Sequence, residues 1–161
     1  MATTSTNTTG REGLTALVFG ASGITGYGIL NALLATPSFT RIIGLTNRPL
    51  SAAVAQLPPD ERLELFSGIN LLDRESSLRQ LRSIPGIERV SHVYYAAYGG
   101  HGSSYEDLKV TNCEMLVNAV GGVEVCCPGL EFVTLNTGGK VGHALPVHYG
   151  RRVRVVLIHD A

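Results

Sequence analysis

Residues 14–34 read LTALVFGASGITGYGILNALL, and this stretch decides the fold. A short apolar run, Leu14 to Phe19, meets glycine abruptly. A run with no polar alternation reads as a strand buried on both faces, as in a parallel sheet. Behind it, Ile24, Ile29, Leu30, Leu33 and Leu34 recur at helical spacing and are expected to face inward, with Pro37 marking the exit. The turn between is Gly20-Ala-Ser-Gly23-Ile-Thr-Gly26, a G-x-x-G-x-x-G pattern at a strand-to-helix junction. In such a turn the first glycine permits the reversal and the second lets backbone amides approach a pyrophosphate. The third lets the helix pack closely on the sheet. The helix N-terminus then faces the phosphates with free N–H groups and the positive end of its dipole. Gly20, Gly23, Ile24, Thr25 and Gly26 are therefore candidate dinucleotide-binding residues, the alternative being glycine used for tight packing alone.

Working outward, RIIGLTNR (41–48) and RLELFSG (62–68) read as second and third strands. A helix begins near Asp73, turns Leu78 and Leu81 inward and stops at Pro85-Gly86. VSHVYYAAYGG (90–100) holds a fourth strand, with Tyr94 and Tyr95 as core and rim residues. A long helix follows through SYEDLKVTNCEMLVNAVGG (104–122), its paired glycines expected as the C-cap. LEFVTLNTGG (130–139) is a fifth strand. Strands alternating with helices at this spacing imply βαβ units and a doubly wound, Rossmann-type parallel α/β sheet, with ligands outside the carboxyl ends of the strands.

Composition agrees with one globular domain: 161 residues, 44% hydrophobic and 16% charged. Thirteen basic residues balance thirteen acidic ones, so the chain carries no footprint for nucleic acid or an anionic membrane. No apolar run approaches the ~20 residues of a transmembrane helix. Residues 1–12 read as a disordered polar tail without the features of a secretory signal, so Asn7-Thr8-Thr9 is not expected to be glycosylated. Cys113, Cys126 and Cys127 lack metal-ligand spacing and read as reduced thiols in a cytoplasmic protein.

The second strand ends in Asn47-Arg48, where a carboxylate would select the 2′-hydroxyl of NAD. A guanidinium can instead pair with a 2′-phosphate, which favours NADP(H); a solvated loop arginine is the other reading. Asp73 suits either an adenine contact or a helix N-cap. Ala96 and Tyr98, after the fourth strand, are placed to line the nicotinamide ribose, small residues there letting it lie against backbone.

Taken together, VFGASGITGYGILNALL, GLTNRP, HVYYAAY, TNCEMLVNAV and LEFVTLNTGGK resemble the progesterone 5β-reductase/iridoid synthase-like (PRISE-like) enone reductases. These are an atypical branch of the extended short-chain dehydrogenases/reductases, and the resemblance runs from about Leu14 to Lys140. It implies an NADP(H)-dependent reductase of a small carbonyl or enone compound. Ordinary short-chain dehydrogenases carry Tyr-x-x-x-Lys on one helix, whereas the residue four before Lys140 is Asn136. The resembled branch places its lysine in a T-G-x-K turn, which Lys140 matches, with Asn136 and Thr137 lining the same pocket. That lysine is expected to bind the nicotinamide ribose and to lower the pKa of a catalytic tyrosine; a surface lysine is the plain alternative. A phosphate-binding P-loop is excluded because Val141 follows the Gly-Lys pair.

The family's Tyr-Tyr-x-x-Glu-Asp motif does not occur, and Tyr149 lies in an unrelated context. The expected organisation is a polar tail (1–12), an incomplete dinucleotide-binding domain (13–150) and an atypical tail (151–161). The alternation Arg152-Val153-Arg154-Val155 could form an edge strand or an irregular tail. Without later strands the fifth strand is expected to leave an open edge, which favours aggregation or homo-oligomers. The expectation is a truncated, weakly active or inactive reductase, its partner a small-molecule substrate. A regulatory NADP(H)-binding module without catalysis is the second reading, and an isomerase or epimerase on the same scaffold the third.

Overall fold

The computed structural model describes residues 13–100, 104–137 and 154–159, with Thr137 and the last of these segments described by backbone alone. Lys140, Tyr149 and the N-terminal tail lie outside the described residues.

The first strand, β1 (Leu14–Phe19), has its last five residues buried, as an uninterrupted apolar run requires at the centre of a sheet. β2 (Phe39–Thr46) and β4 (His92–Tyr95) flank it, both parallel to it. β3 (Leu63–Ser67) pairs with β2 and is half-exposed as the edge strand. β5 (Phe132–Thr137) lies beyond β4 and β6 (Arg154–His159) beyond β5, giving the six-stranded order β3-β2-β1-β4-β5-β6. The Rossmann-type expectation holds.

One expectation changes at the far edge. β6 (Arg154–His159) pairs in parallel with β5 from Phe132↔Arg154 to Thr137↔His159. From Arg154 onward the tail therefore forms a strand, and β5 has a neighbour along its whole length; Arg152 and Val153 lie outside the described residues. The backbone donors and acceptors of β5 on that side enter a ladder instead of being left open.

Alternation along β1 splits the core. Ala16 and Val18 face α1 (Ile24–Leu34), meeting its Leu30 and Leu33. Leu17 and Phe19 face the opposite layer, α2 (Arg74–Ser83) and α3 (Tyr105–Cys126), where Leu81, Ala119 and Val123 are buried. Apolar side chains on both faces are what commits the sheet to two helical layers. Arg62 secures the first layer: its guanidinium donates to the carbonyls of Leu34 (2.6 Å) and Phe39 (2.9 Å) while paired with Asp60. It thereby satisfies a carbonyl left over at the C-terminus of α1.

Ile24 is 95% exposed, so it does not belong to the inward stripe of α1. It is the first helical residue, with no preceding turn to cover it. The paired glycines Gly121 and Gly122 do not cap α3, which continues to Cys126 ahead of Pro128. Neither takes the left-handed conformation a glycine cap needs. Gly122 instead sits where α3 crosses α2, and a Cβ there would lie 2.6 Å from Leu81 Cδ1. Close helix packing overrides the weak propensity of glycine. A short 3-10 turn at Ile87–Arg89 was not expected from the sequence.

Candidate cofactor site

All strands are parallel, so their carboxyl ends share one edge of the sheet. In register, Leu45 sits beside Phe19, Phe19 beside Tyr95, and Tyr95 beside Leu135. The residues that follow these positions are Thr46-Asn47-Arg48, Gly20, Ala96 and Asn136, so the sequence candidates fall in one row. The chain reverses its strand order between β1 and β4, the usual place for a ligand crevice in such sheets.

The three glycines of the turn have separate jobs, visible in what a side chain would strike. Gly20 has φ +80°, and a Cβ there would lie 2.6 Å from the backbone of Ala96 and Ala97. Its N–H donates to Leu45 O at 3.0 Å, tying the turn to β2. At Gly26 a Cβ would meet the Gly20 carbonyl oxygen at only 2.1 Å, so the helix presses on the turn. Gly23 differs: the nearest atom to its Cβ would be Gly20 O at 3.5 Å, an ordinary contact. Gly23 is exposed and N-caps α1 without a side-chain cap, and the first turn holds no acidic residue. Thr25 and Ile24 are exposed beside it. The first-turn N–H groups have no intrahelical acceptors, so this end is open to an anion.

Asn47 and Arg48 are exposed at the end of β2, and among the described residues Arg48 enters neither ion pair, Arg41–Glu64 or Arg62–Asp60. Thr46 Oγ1 donates to Arg48 O, shaping this turn. Asp73 caps α2, its Oδ1 accepting from Ser76 N at 2.9 Å. The cap reading is therefore realised in the structure. Ala96 is half-buried, its N–H donating to Phe19 O at 2.9 Å, and Tyr98 is 60% exposed. Tyr95 is a core residue: its ring lies 6.0 Å from that of Phe19, and burial pushes its phenol pKa up. Asn136 Oδ1 is buried at the end of β5 with no hydrogen-bond partner among the described residues. Thr137 ends the strand.

Sequence reasoning missed the side chains that hold the surrounding loops. Asn118 Nδ2 donates to Leu71 O (2.8 Å) and Gln80 Nε2 to Gly68 O (2.6 Å), both in the β3–α2 loop. Asn112 pairs reciprocally with the backbone of Gly99, after β4. An asparagine inside a helical pattern was the signal, since that residue is neutral to unfavourable there unless it has a partner. Among the described residues no His, Cys, Asp and Glu cluster could hold a metal, and no helix is long and apolar enough to cross a membrane. Burial raises the Cys127 thiol to about 12, so it is a packed core group at neutral pH.

A family model described as the PRISE-like Rossmann-fold domain matches residues 16–156. The chain is 42% identical over 141 residues to the short chain dehydrogenase sirQ of Leptosphaeria maculans, covering 84% of this chain and 34% of that protein. It spans about a third of the length of the curated relatives it matches. Its fold is similar to that of yeast methylglyoxal/isovaleraldehyde reductase Gre2 complexed with NADPH, with TM-score 0.62 and 14% identity over 78% of this chain and 37% of that one. It is also similar to the dTDP-glucose 4,6-dehydratase DesIV of Streptomyces venezuelae with NAD bound. There the TM-score is 0.60 and the identity 20%, over 80% of this chain and 40% of that one.

Proposed function

Because this chain belongs to the PRISE-like Rossmann-fold family of short-chain dehydrogenases/reductases, we propose that it binds NADP(H) for reduction of a small carbonyl or enone compound. The observation that carries the reading is the asymmetry of the glycine turn. Side chains are forbidden by backbone at Gly20 and Gly26, yet at Gly23 a Cβ would make only an ordinary 3.5 Å contact. Packing accounts for Gly20 and Gly26, whereas Gly23 serves only as the N-cap of α1, a position other residues also fill, so close packing gives no reason for glycine there. A diphosphate approaching the N-terminus of α1 supplies one.

On this reading Ile24 and Thr25 hold the diphosphate through backbone N–H groups, Gly23, whose own N–H donates to Gly20 O, leaves room for its approach, and Arg48 pairs with a 2′-phosphate. No carboxylate stands at Asn47 or Arg48 to repel that phosphate. Asp73 orders the loop on the adenine side through its cap, while Ala96, Tyr98, Asn136 and Thr137 line the nicotinamide side. When bound, NADPH supplies the hydride. Lys140, three residues after Thr137 in sequence, steadies the nicotinamide ribose and lends positive charge where a substrate oxygen gains electron density. Since this chain spans a third of its relatives, the full reaction is proposed for the longer proteins it resembles. For the 161 residues themselves, NADP(H) binding is proposed.

The test is titration of NADPH and NADH into the full chain and into Arg48→Ala. NADPH should bind more tightly, and losing a charge-assisted hydrogen bond should weaken it by ~1.5–3 kcal/mol while NADH changes little. Equal loss for both cofactors would refute the contact between Arg48 and the 2′-phosphate; binding of neither would end the proposal.

A further inference from the structure

We infer that α3 braces both walls of the cofactor crevice through two asparagines, Asn118 for the adenine side and Asn112 for the nicotinamide side. The inference rests on the cofactor reading above and adds two positioning residues to it. Neither asparagine is placed in contact with the cofactor.

Asn118 is 7% exposed, in the middle of a helix face otherwise given to core packing. Its amide reaches out of α3 to the carbonyl of Leu71 at 2.8 Å. Leu71 lies two residues before Asp73, within the loop from Gly68 to Asp73 that links β3 to α2. That loop is otherwise tied to β2 by Gly68 N to Asn47 O (3.2 Å) and Ile69 N to Thr46 O (3.1 Å), and to α2 by Gln80. Asn118 thus fixes the part of the loop that the β2 contacts do not reach. Leu71 is buried, and its carbonyl is costly to leave unpaired once the Asn118 amide is removed, so the loop would move to find water.

Asn112 acts on the other wall. Its Oδ1 accepts from Gly99 N (3.0 Å), and its Nδ2 donates to Gly99 O (3.1 Å) and to Leu108 O (2.7 Å). An amide closing a two-way pair on one residue's backbone fixes both position and orientation there. Gly99 follows Tyr98 directly and comes three residues after Ala96, so the pair sets the path of the chain leaving β4. Met115 packs against the same glycine, 2.9 Å from where a Cβ would stand. The two asparagines are six residues apart, about 9 Å along the axis and about 120° around it. One rigid helix can therefore hold two loops that lie in different directions.

The two ties predict different losses. NADPH and its adenine half, 2′,5′-ADP, are titrated into the full chain and into Asn118→Leu and Asn112→Leu, with melting curves recorded in parallel. Asn118→Leu should weaken both ligands about tenfold, the effect of one lost buried hydrogen bond. Asn112→Leu should weaken NADPH about tenfold and leave 2′,5′-ADP within about twofold. A general loss of structure would instead weaken both ligands in both variants, and that result overturns the inference while leaving the cofactor reading intact. Failure of the unaltered chain to bind either ligand overturns the cofactor reading and this inference with it. If a variant does not fold, side-chain amide NMR of the unaltered chain decides. Asn118 signals should move with either ligand and Asn112 signals with NADPH alone; identical responses of the two overturn the inference.

Discussion

Gly26→Ala places a methyl carbon 2.1 Å from the carbonyl oxygen of Gly20, 2.8 Å from its carbonyl carbon and 2.9 Å from Ala21 Cα. Ordinary contact lies near ~3.5 Å, so α1 must back away from the turn by roughly an ångström. All three atoms are backbone, and no rotamer change relieves them. Overpacking of this kind costs about 1–3 kcal/mol, and with backbone on both sides the upper end applies. Against it, alanine restricts the unfolded chain and favours helix, which returns up to about 1 kcal/mol. The net loss is about 2 kcal/mol, or roughly 4–8 °C in melting temperature for a chain of this length. Gly23→Ala is the control. Its φ of −83° and ψ of 163° suit alanine, and its Cβ would touch Gly20 O at an ordinary 3.5 Å. A poorer N-cap and a stiffer unfolded chain nearly cancel, so the melt should stay within about 2 °C. NADPH affinity should nonetheless fall, because the methyl group enters the space proposed for the diphosphate. Melting by circular dichroism and titration by NADPH fluorescence read the two effects separately. If Gly26→Ala melts with the unaltered protein, the close approach of α1 to the turn is wrong. If Gly23→Ala binds NADPH unchanged, the diphosphate does not lie there.

Two further outcomes follow from the same geometry. Gly121→Ala should stabilise the chain by about 1 kcal/mol, because the glycine lies inside α3 with open space where a Cβ would stand; a lower melting temperature would restore the helix end that the sequence suggests. Arg41 holds Glu64 through two bonds of 2.7 Å, and this hydrogen bonding lowers the Glu64 pKa below its ordinary 4.5. A carboxylate with a depressed folded pKa contributes stability above its unfolded value, and the contribution is lost as pH falls through the folded one. Glu64 is 40% exposed, so Glu64→Gln should cost under about 1 kcal/mol at neutral pH. The gap from the unaltered protein should close on acidification below 4.5; a gap constant across that range would mean that the pair does not titrate with folding.

The chain itself determined the parallel α/β architecture, because Leu14–Phe19 has no polar face and so demands helices on both sides. It determined the glycine turn too: spacing along a strand and into a helix is local, and Gly20, Gly23 and Gly26 act within seven residues of one another. The placement of Arg48 just past β2 and the cap of α2 by Asp73 were legible for the same reason, each lying at the end of an element whose type the periodicity reveals. The end of α3 was not. Whether Gly121-Gly122 stops a helix depends on Leu81, some forty residues earlier in the chain, packing against Gly122. Nor was the neighbour of β5, since pairing with Arg154–His159 is a choice among edges that no single strand encodes. Asn112 and Asn118 show the same limit at the site. Residue type marks a polar group inside a helix, but only the folded chain brings Gly99 and Leu71 within reach of their amides. Local conformation is governed by neighbours in sequence, whereas a hydrogen bond between α3 and a loop 47 residues away exists only after the sheet has set their distance.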